Sequence, residues 1–360
     1  MDNGEVRGWL AQDDATRLEE LWRLADAARR RCVGDAVHLR GLIEISNRCR
    51  RLCGYCGLRA DNRRLERYAM TAREILDCAR QAVRFGYGTV VLQSGEDAGL
   101  SGEWVADLVA RTRSDEQTRG LAVTLSLGER SEADLALWKQ AGADRYLLRF
   151  ETSNRALFEL IHPSLPGRGG DRVAILRHLR RLGYEVGSGV MIGIPGQTID
   201  DLAADIALFA ELELDMIGVG PYIAHPDTPM GACPERYPPA PPGRQAPASE
   251  LMTYKMIALA RLACPRANIP STTALATLNL AEGRELGLMR GANVVMPNLT
   301  PTAYRSLYEI YPAKACLRET ADQCHSCMKS RIESIGRTVA VGRGDSLSHC
   351  GRTQTPAGSI

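Results

Sequence analysis

Nowhere in its 360 residues does the sequence hold the roughly 18 uninterrupted apolar residues of a membrane-spanning helix. The N-terminus is charged and helical in pattern, without the apolar core of a signal peptide. Both absences lead to the expectation of a cytoplasmic protein. Charge of one sign is missing too: 45 Lys and Arg balance 43 Asp and Glu to a net +2. That balance gives no reason to expect nucleic acid as a partner. No internal repeat and no second globular domain is visible. What is present fits a soluble globular chain, 44% apolar and 24% charged, long enough for two average domains or one α/β barrel. Eleven cysteines in a reducing compartment argue for metal or catalytic thiols and against disulfides.

One shortage is local. In "SNRCRRLCGYCGLR", Ser46 to Arg59, Cys49, Cys53 and Cys56 stand in C-x3-C-x2-C spacing, with no fourth Cys or His close by. Structural zinc usually takes four ligands, in C-x2-C pairs far apart in sequence. Closely spaced thiolates suit iron–sulfur clusters instead. Three of them can hold three irons of a 4Fe-4S cube and leave the fourth open, as a catalytic metal requires. The spacing, with Tyr55 just before the last cysteine, resembles the signature of the radical SAM enzymes. The resemblance implies that the amino and carboxylate groups of S-adenosylmethionine chelate the open iron.

Strand-like and helical runs alternate along most of the chain. "HLRGLIEI" (His38–Ile45) reads as a buried first strand, and the cysteine loop follows its C-terminal end. Further strands are expected at 89–93, 121–127, 145–150, 189–194, 214–220, 268–273 and 292–297, making eight. Helical periodicity falls at 71–85, 102–112, 131–141, 171–182, 199–212 and 250–262. Alternation implies a parallel sheet with right-handed crossovers. Eight units predict a complete (β/α)8 TIM barrel. The expected organisation is an N-terminal helical extension at 1–37, the barrel at 38–312 and a C-terminal extension at 313–360. The Pro- and Gly-rich stretch Cys233–Ser249 reads as a long surface loop.

Barrel enzymes carry their chemistry at the C-terminal rim of the strands. "LQSGED" places Gln93, Ser94 and Glu96 there, Thr124 and Ser126 lie on the third strand, and "RFET" gives Arg149 and Glu151. A carboxylate at such a position suits a ribose or an amine, and an arginine can hold a carboxylate bidentately. Thr272 and Thr273 offer paired hydroxyls, or cap the helix that follows. His162, His225 and His325 are lone histidines without an evident ligand partner.

In order along the chain run "LQSGED", "AVTLSLGE", "GVMIGIPGQTIDDL", "GPYIAHPDTP", "IPSTTA" and "GANVVMPNLTP". From Leu42 to Arg337 the sequence resembles the HydE family, radical SAM maturases of FeFe-hydrogenase. That family is related to biotin synthase and methylornithine synthase. The resemblance implies assembly of the hydrogenase active-site H-cluster. S-adenosylmethionine would be cleaved reductively to a 5′-deoxyadenosyl radical acting on a sulfur-containing, cysteine-bound iron carbonyl cyanide complex. A partner radical SAM lyase, a GTPase scaffold and an electron donor such as ferredoxin or flavodoxin are implied with it. Carried over by motif, Tyr55, Gln93, Thr124, Glu151 and Arg172 are cofactor residues and Arg149 and Ser94 catalytic ones. Thr272, Thr273, Met296 and Tyr311 are substrate residues. The stretch "HPSLPGRGGD" before Arg172 is longer than the family's usual loop. In the tail, Cys316, Cys324 and Cys327 resemble the triad at which family members often carry a second cluster, 2Fe-2S or 4Fe-4S. The competing readings are small-molecule synthesis by a relative of biotin synthase or methylornithine synthase, and a non-catalytic iron–sulfur protein. A carrier has no need of polar residues at successive strand ends.

Overall fold

The computed structural model describes residues 1–165 and 170–354, so 166–169 of the long stretch before Arg172 lie outside the described residues. Seven strands form one parallel sheet: β1 (His38–Ser46), β2 (Thr89–Ser94), β3 (Ala122–Ser126), β4 (Arg145–Leu147), β5 (Glu185–Ile192), β6 (Met216–Pro221) and β7 (Val294–Val295). Their order is β6-β5-β4-β3-β2-β1-β7. The ring closes through a segment that bridges both edges: Asn268 pairs with Met216 and Pro270 with Val294, each in parallel. The eight expected strand positions are therefore filled and the (β/α)8 barrel is complete. The last two positions are shorter than the sequence suggests. Pro270 and Pro297 each remove a ladder donor there.

Parallel strands under helices are buried on both faces. In β1 every residue after His38 is buried. The helices that cover them start where a side chain can satisfy free backbone amides. Thr71 and Glu74 form a capping box on Ala72–Arg84, and Thr198 and Asp201 form one on Ile199–Glu211. Two N-terminal helices, Asn3–Ala11 and Ala15–Val33, pack on the outer helices. Buried Lys255 fastens them, bonding Leu10 O at 3.0 Å and Asp13 at 3.1 Å.

The strands start on a floor crowded with charge. Arg145, fully buried, donates to Glu185 at 2.7 Å, Thr89 at 2.8 Å, Arg343 O at 3.0 Å and Asp345 at 2.5 Å. Arg40 and Asn268 both donate to Gly344 O. Ser346 closes the set, its amide on Glu185 and its hydroxyl on Asp215. Residues 343–346 thus cross beneath the barrel and satisfy groups from six strand starts. Gly344 has φ +62, and a Cβ there would lie 2.6 Å from Nδ1 of His38. Only glycine fits.

Residues 314–334 are also joined to the barrel. Lys314 pairs inside it with Glu44 of β1, and Asn298 bonds the other oxygen of Glu44 at 3.0 Å. Helix Ala321–Ser334 buries Cys324, Met328 and Ile332, and His325 stacks on Phe85 at 4.7 Å. No helix among the described residues is long and apolar enough to cross a membrane.

Candidate active site

The cysteine loop leaves β1 at the C-terminal rim and is fixed from beneath. Ser46 donates to Asp97 at 2.6 Å and to Tyr68 O at 3.0 Å. Arg67 donates to four carbonyls, Asn47 O, Leu58 O, Arg59 O and Asn62 O, at 2.6–3.2 Å. One guanidinium thus ties both ends of the segment that carries Cys49, Cys53 and Cys56. Gly57 and Gly95 let neighbouring chain approach. A Cβ at the first would lie 2.2 Å from Glu309 O, and one at the second 2.3 Å from Arg48 O.

The three cysteines line a cavity of about 290 Å³ above the barrel. Its wall also holds Tyr55, Gln93, Ser94, Arg149, Glu151, Arg172, Thr272 and Tyr311, so eleven of the fourteen residues expected around the first cluster share one site. The other three stand elsewhere. Thr124 lies two residues below Ser126 on β3, on the same face but deeper, and Ser126 takes the place in the wall. Its buried hydroxyl has no hydrogen-bond partner. Thr273 lies in the first turn of helix Thr273–Leu278, and Thr272 before it caps Leu275 N at 3.4 Å. Thr272 therefore caps the helix and faces the cavity. Met296 follows the short β7 and is only half-buried, outside the cavity wall.

Charge is concentrated on one side. Glu96 receives Arg50 at 2.9 Å and Arg51 at 3.0 Å. Arg51 continues to Glu129, and Glu129 receives Arg172 at 2.9 Å. Arg172 reaches Nε2 of His162 at 2.7 Å, and Nδ1 of that ring lies 3.0 Å from Cys53 Sγ. Burial and the charge of Arg172 push His162 down to about 4, so the ring is neutral near pH 7. Burial raises the Glu129 carboxyl, but the Arg172 and Arg51 guanidiniums paired with it outweigh that and hold Glu129 far below its usual range. From sequence Glu96 was named only as a rim residue and His162 only as a lone histidine, and Glu129 was not named. His162 and Cys53 stand 109 residues apart, and no local pattern joins them.

The network continues to Arg149, whose carbonyl accepts from Arg172 at 2.6 Å and whose Nη2 lies 3.1 Å from Glu151 Oε2. The approach is off the hydrogen-bonding direction, so this oxygen and Arg149 Nε have no hydrogen-bond partner. Buried polar atoms without partners mark a place where a polar ligand fits. Glu151 itself sits at φ +64, in the left-handed region that a non-glycine residue occupies at a cost.

Burial pushes Cys53 up to about 12 and raises Cys49 and Cys56 as well. Such thiols ionise when a metal displaces their protons. Among the described residues no three Cys, His, Asp or Glu side chains converge at metal-ligand distance. Cys53 turns to His162, and Cys49 Sγ accepts from Arg51 N and Glu96 N. The donor set nonetheless fits an iron–sulfur cluster: three thiols from one loop, on one cavity wall, with amides aimed at sulfur. In the tail, Cys316 Sγ lies 4.0 Å from Arg284 Nη2, Cys324 is buried and Cys327 is exposed.

Residues 43–209 match the Radical SAM superfamily model, and the chain is a radical SAM enzyme. It is 47% identical over 328 residues to the FeFe hydrogenase maturase subunit HydE of Thermotoga maritima, across 91% of this chain and 89% of that one. The chain belongs to the HydE family. At 25% identity it is also similar to 3-methylornithine synthase of Methanosarcina acetivorans, over 82% and 79% of the two chains. Among solved structures, methylornithine synthase superposes with a TM-score of 0.76 at 24% identity, covering 94% of each chain. The FeFe-hydrogenase maturase HydG gives 0.70 at 18%, covering 98% of this chain and 71% of that one. These two share the fold.

Proposed function

We propose that this enzyme acts in assembly of the FeFe-hydrogenase active site, on a sulfur-bearing, cysteine-bound iron carbonyl cyanide complex made by a partner radical SAM lyase. The observation that carries it is the single cavity joining the cysteine loop to the Arg149–Glu151 pair, in a chain 47% identical to a hydrogenase maturase. Cys49, Cys53 and Cys56 hold a 4Fe-4S cluster. When bound and reduced, that cluster supplies the electron that cleaves S-adenosylmethionine to methionine and a 5′-deoxyadenosyl radical.

The protein's part is binding, orientation and exclusion of water. Gln93 sits at the end of β2 in the cavity wall, its amide 3.3 Å from the Tyr308 hydroxyl, where it would bind the cofactor. Glu151 and Arg172 complete the cofactor side, with Tyr55 beside the last cysteine, and Thr124 supports it from the layer below Ser126. The free oxygen of Glu151 accepts from a ribose hydroxyl or the amino group. Arg149 offers its unpaired Nε to a substrate carboxylate, with Ser94 and Thr272 as neutral donors and Tyr311 on the far wall. Thr273 and Met296 need a rearrangement of helix Thr273–Leu278 and the segment after β7 to reach the same ligand. Cys316, Cys324 and Cys327 hold a second iron–sulfur cluster that serves structure or electron supply. The maturation partners are the lyase, a GTPase scaffold and a ferredoxin- or flavodoxin-like donor, in the cytoplasm.

The test is anaerobic turnover of the reconstituted protein with the lyase's product. Formation of 5′-deoxyadenosine coupled to consumption of that product supports the proposal. 5′-Deoxyadenosine formed at an unchanged rate with the product left intact would overturn it.

A further inference from the structure

Glu151 occupies a backbone conformation that something must enforce, and the source lies outside the cavity. The residue's own ladder bonds, Glu151 N to Gly189 O at 3.1 Å and Met191 N to Glu151 O at 3.0 Å, fix its place along β5. They do not select φ +64. The chain after it, Thr152 to Asn154, turns away from the sheet. Two carboxylates of helix Ile199–Glu211, one helical turn apart, hold that turn. Asp201 Oδ1 receives Asn154 Nδ2 at 3.0 Å, while Asn154 Oδ1 caps the helix that follows, at Leu157 N. Asp205 Oδ1 receives Ser153 N at 2.6 Å.

Asp205 is fully buried, and its second oxygen has no hydrogen-bond partner. A solvent-facing cap would not need burial. A core position filled only for packing would not carry a carboxyl group. Burial lifts the Asp205 carboxyl to about 7, against the opposing hydrogen bonds from Ser153. A group so placed serves as an acceptor whether or not it carries charge.

We propose that Asp205 is a positioning residue for Glu151, clamping the Ser153 amide so that the left-handed turn at Glu151 aims its carboxylate into the cavity. This rests on the reading that Glu151 binds S-adenosylmethionine. Without the clamp, Ser153 N loses its acceptor, and Glu151 relaxes toward φ below zero. Its side chain then leaves the direction that the Arg149 contact defines. Asn in place of Asp keeps the accepting oxygen, and its amide can sit where the second carboxylate oxygen has no partner.

The experiment measures S-adenosylmethionine affinity of the iron–sulfur-reconstituted protein by equilibrium dialysis, in single and double variants. Asp205→Ala is expected to weaken binding about tenfold. Asp205→Asn should stay within about threefold of the parent, as expected where a neutral oxygen suffices as acceptor. Glu151→Ala should weaken binding as well, and adding Asp205→Ala to it should weaken it no further, because the clamp acts through Glu151. A full additional loss in the double variant, or binding unaffected by Asp205→Ala, would overturn the proposal. If Glu151→Ala alone leaves affinity unchanged, it is the role of Glu151 that fails. Global unfolding is separated by far-UV circular dichroism and by Asp205→Asn, which removes the charge and keeps the bond.

Discussion

The Cys53 thiol lies 3.0 Å from Nδ1 of His162, and Arg172 holds the other nitrogen of that ring at 2.7 Å. A buried sulfur on a neutral imidazole is a poor nucleophile, because the thiolate is the reactive form. In metal-free protein at pH 8, Cys53 should resist iodoacetamide while the exposed Cys327 is alkylated. Peptide mass spectrometry reads the two sites separately. Equal labelling of both would show that burial does not protect Cys53.

Arg67 holds the cysteine loop by four carbonyls. Lysine cannot reproduce that fork. Arg67→Lys should retain the fold but bind less iron per chain on reconstitution and lose it faster to a chelator. Iron retention equal to the parent's would mean that the loop keeps its shape without the staple.

Arg145 is paired on the floor with Glu185 and Asp345. Removing one member of a buried pair leaves the other charge uncompensated, at a cost of roughly 3–5 kcal/mol. Arg145→Ala should lower urea-derived stability by about that amount. A loss under about 1 kcal/mol would fit only a pair with the weight of a surface ion pair.

His38 on the same floor is pushed down to about 4 by burial and by the charges of Arg40 and Arg145. The unfolded chain takes up this proton near 6.5 and the folded protein refuses it. Its contribution to stability is therefore complete above 6.5 and is lost as pH falls toward 4. His38→Gln should flatten the fall in urea midpoint between pH 7 and pH 5, measured on metal-free protein. An unchanged slope would assign the acid sensitivity to other groups.

In the tail, Ser replacing Cys316, Cys324 and Cys327 together should reduce bound iron and leave 5′-deoxyadenosine formation largely intact. Loss of radical formation in a correctly folded variant would tie this triad to the chemistry.

The barrel was readable because its signals are local. Strand and helix periods are written within ten or so residues, and so is the C-x3-C-x2-C loop. Gln93, Ser94, Arg149 and Glu151 could be placed because each ends a strand or lies within a few residues of its end. What was not readable depends on distance. Thr124 was expected in the wall, yet the depth of a residue on β3 is set by the shear of the whole barrel. His162 looked solitary because its partners, Cys53, Glu129 and Arg172, come from three other segments. The left-handed turn at Glu151 was likewise invisible, since a glutamate gives no hint of positive φ.

The crossing of residues 343–346 beneath the barrel has a consequence for biosynthesis. Arg40 is separated from its acceptor, Gly344 O, by 304 residues. At about 5–20 residues per second, the ribosome delivers that acceptor some fifteen seconds or more after Arg40 itself. Until it arrives, Arg40, Arg145 and Glu185 lack the partners that residues 343–346 bring, and Arg145 has Thr89 and Glu185 alone. The floor of the barrel can therefore be completed only after residues 343–346 have been translated.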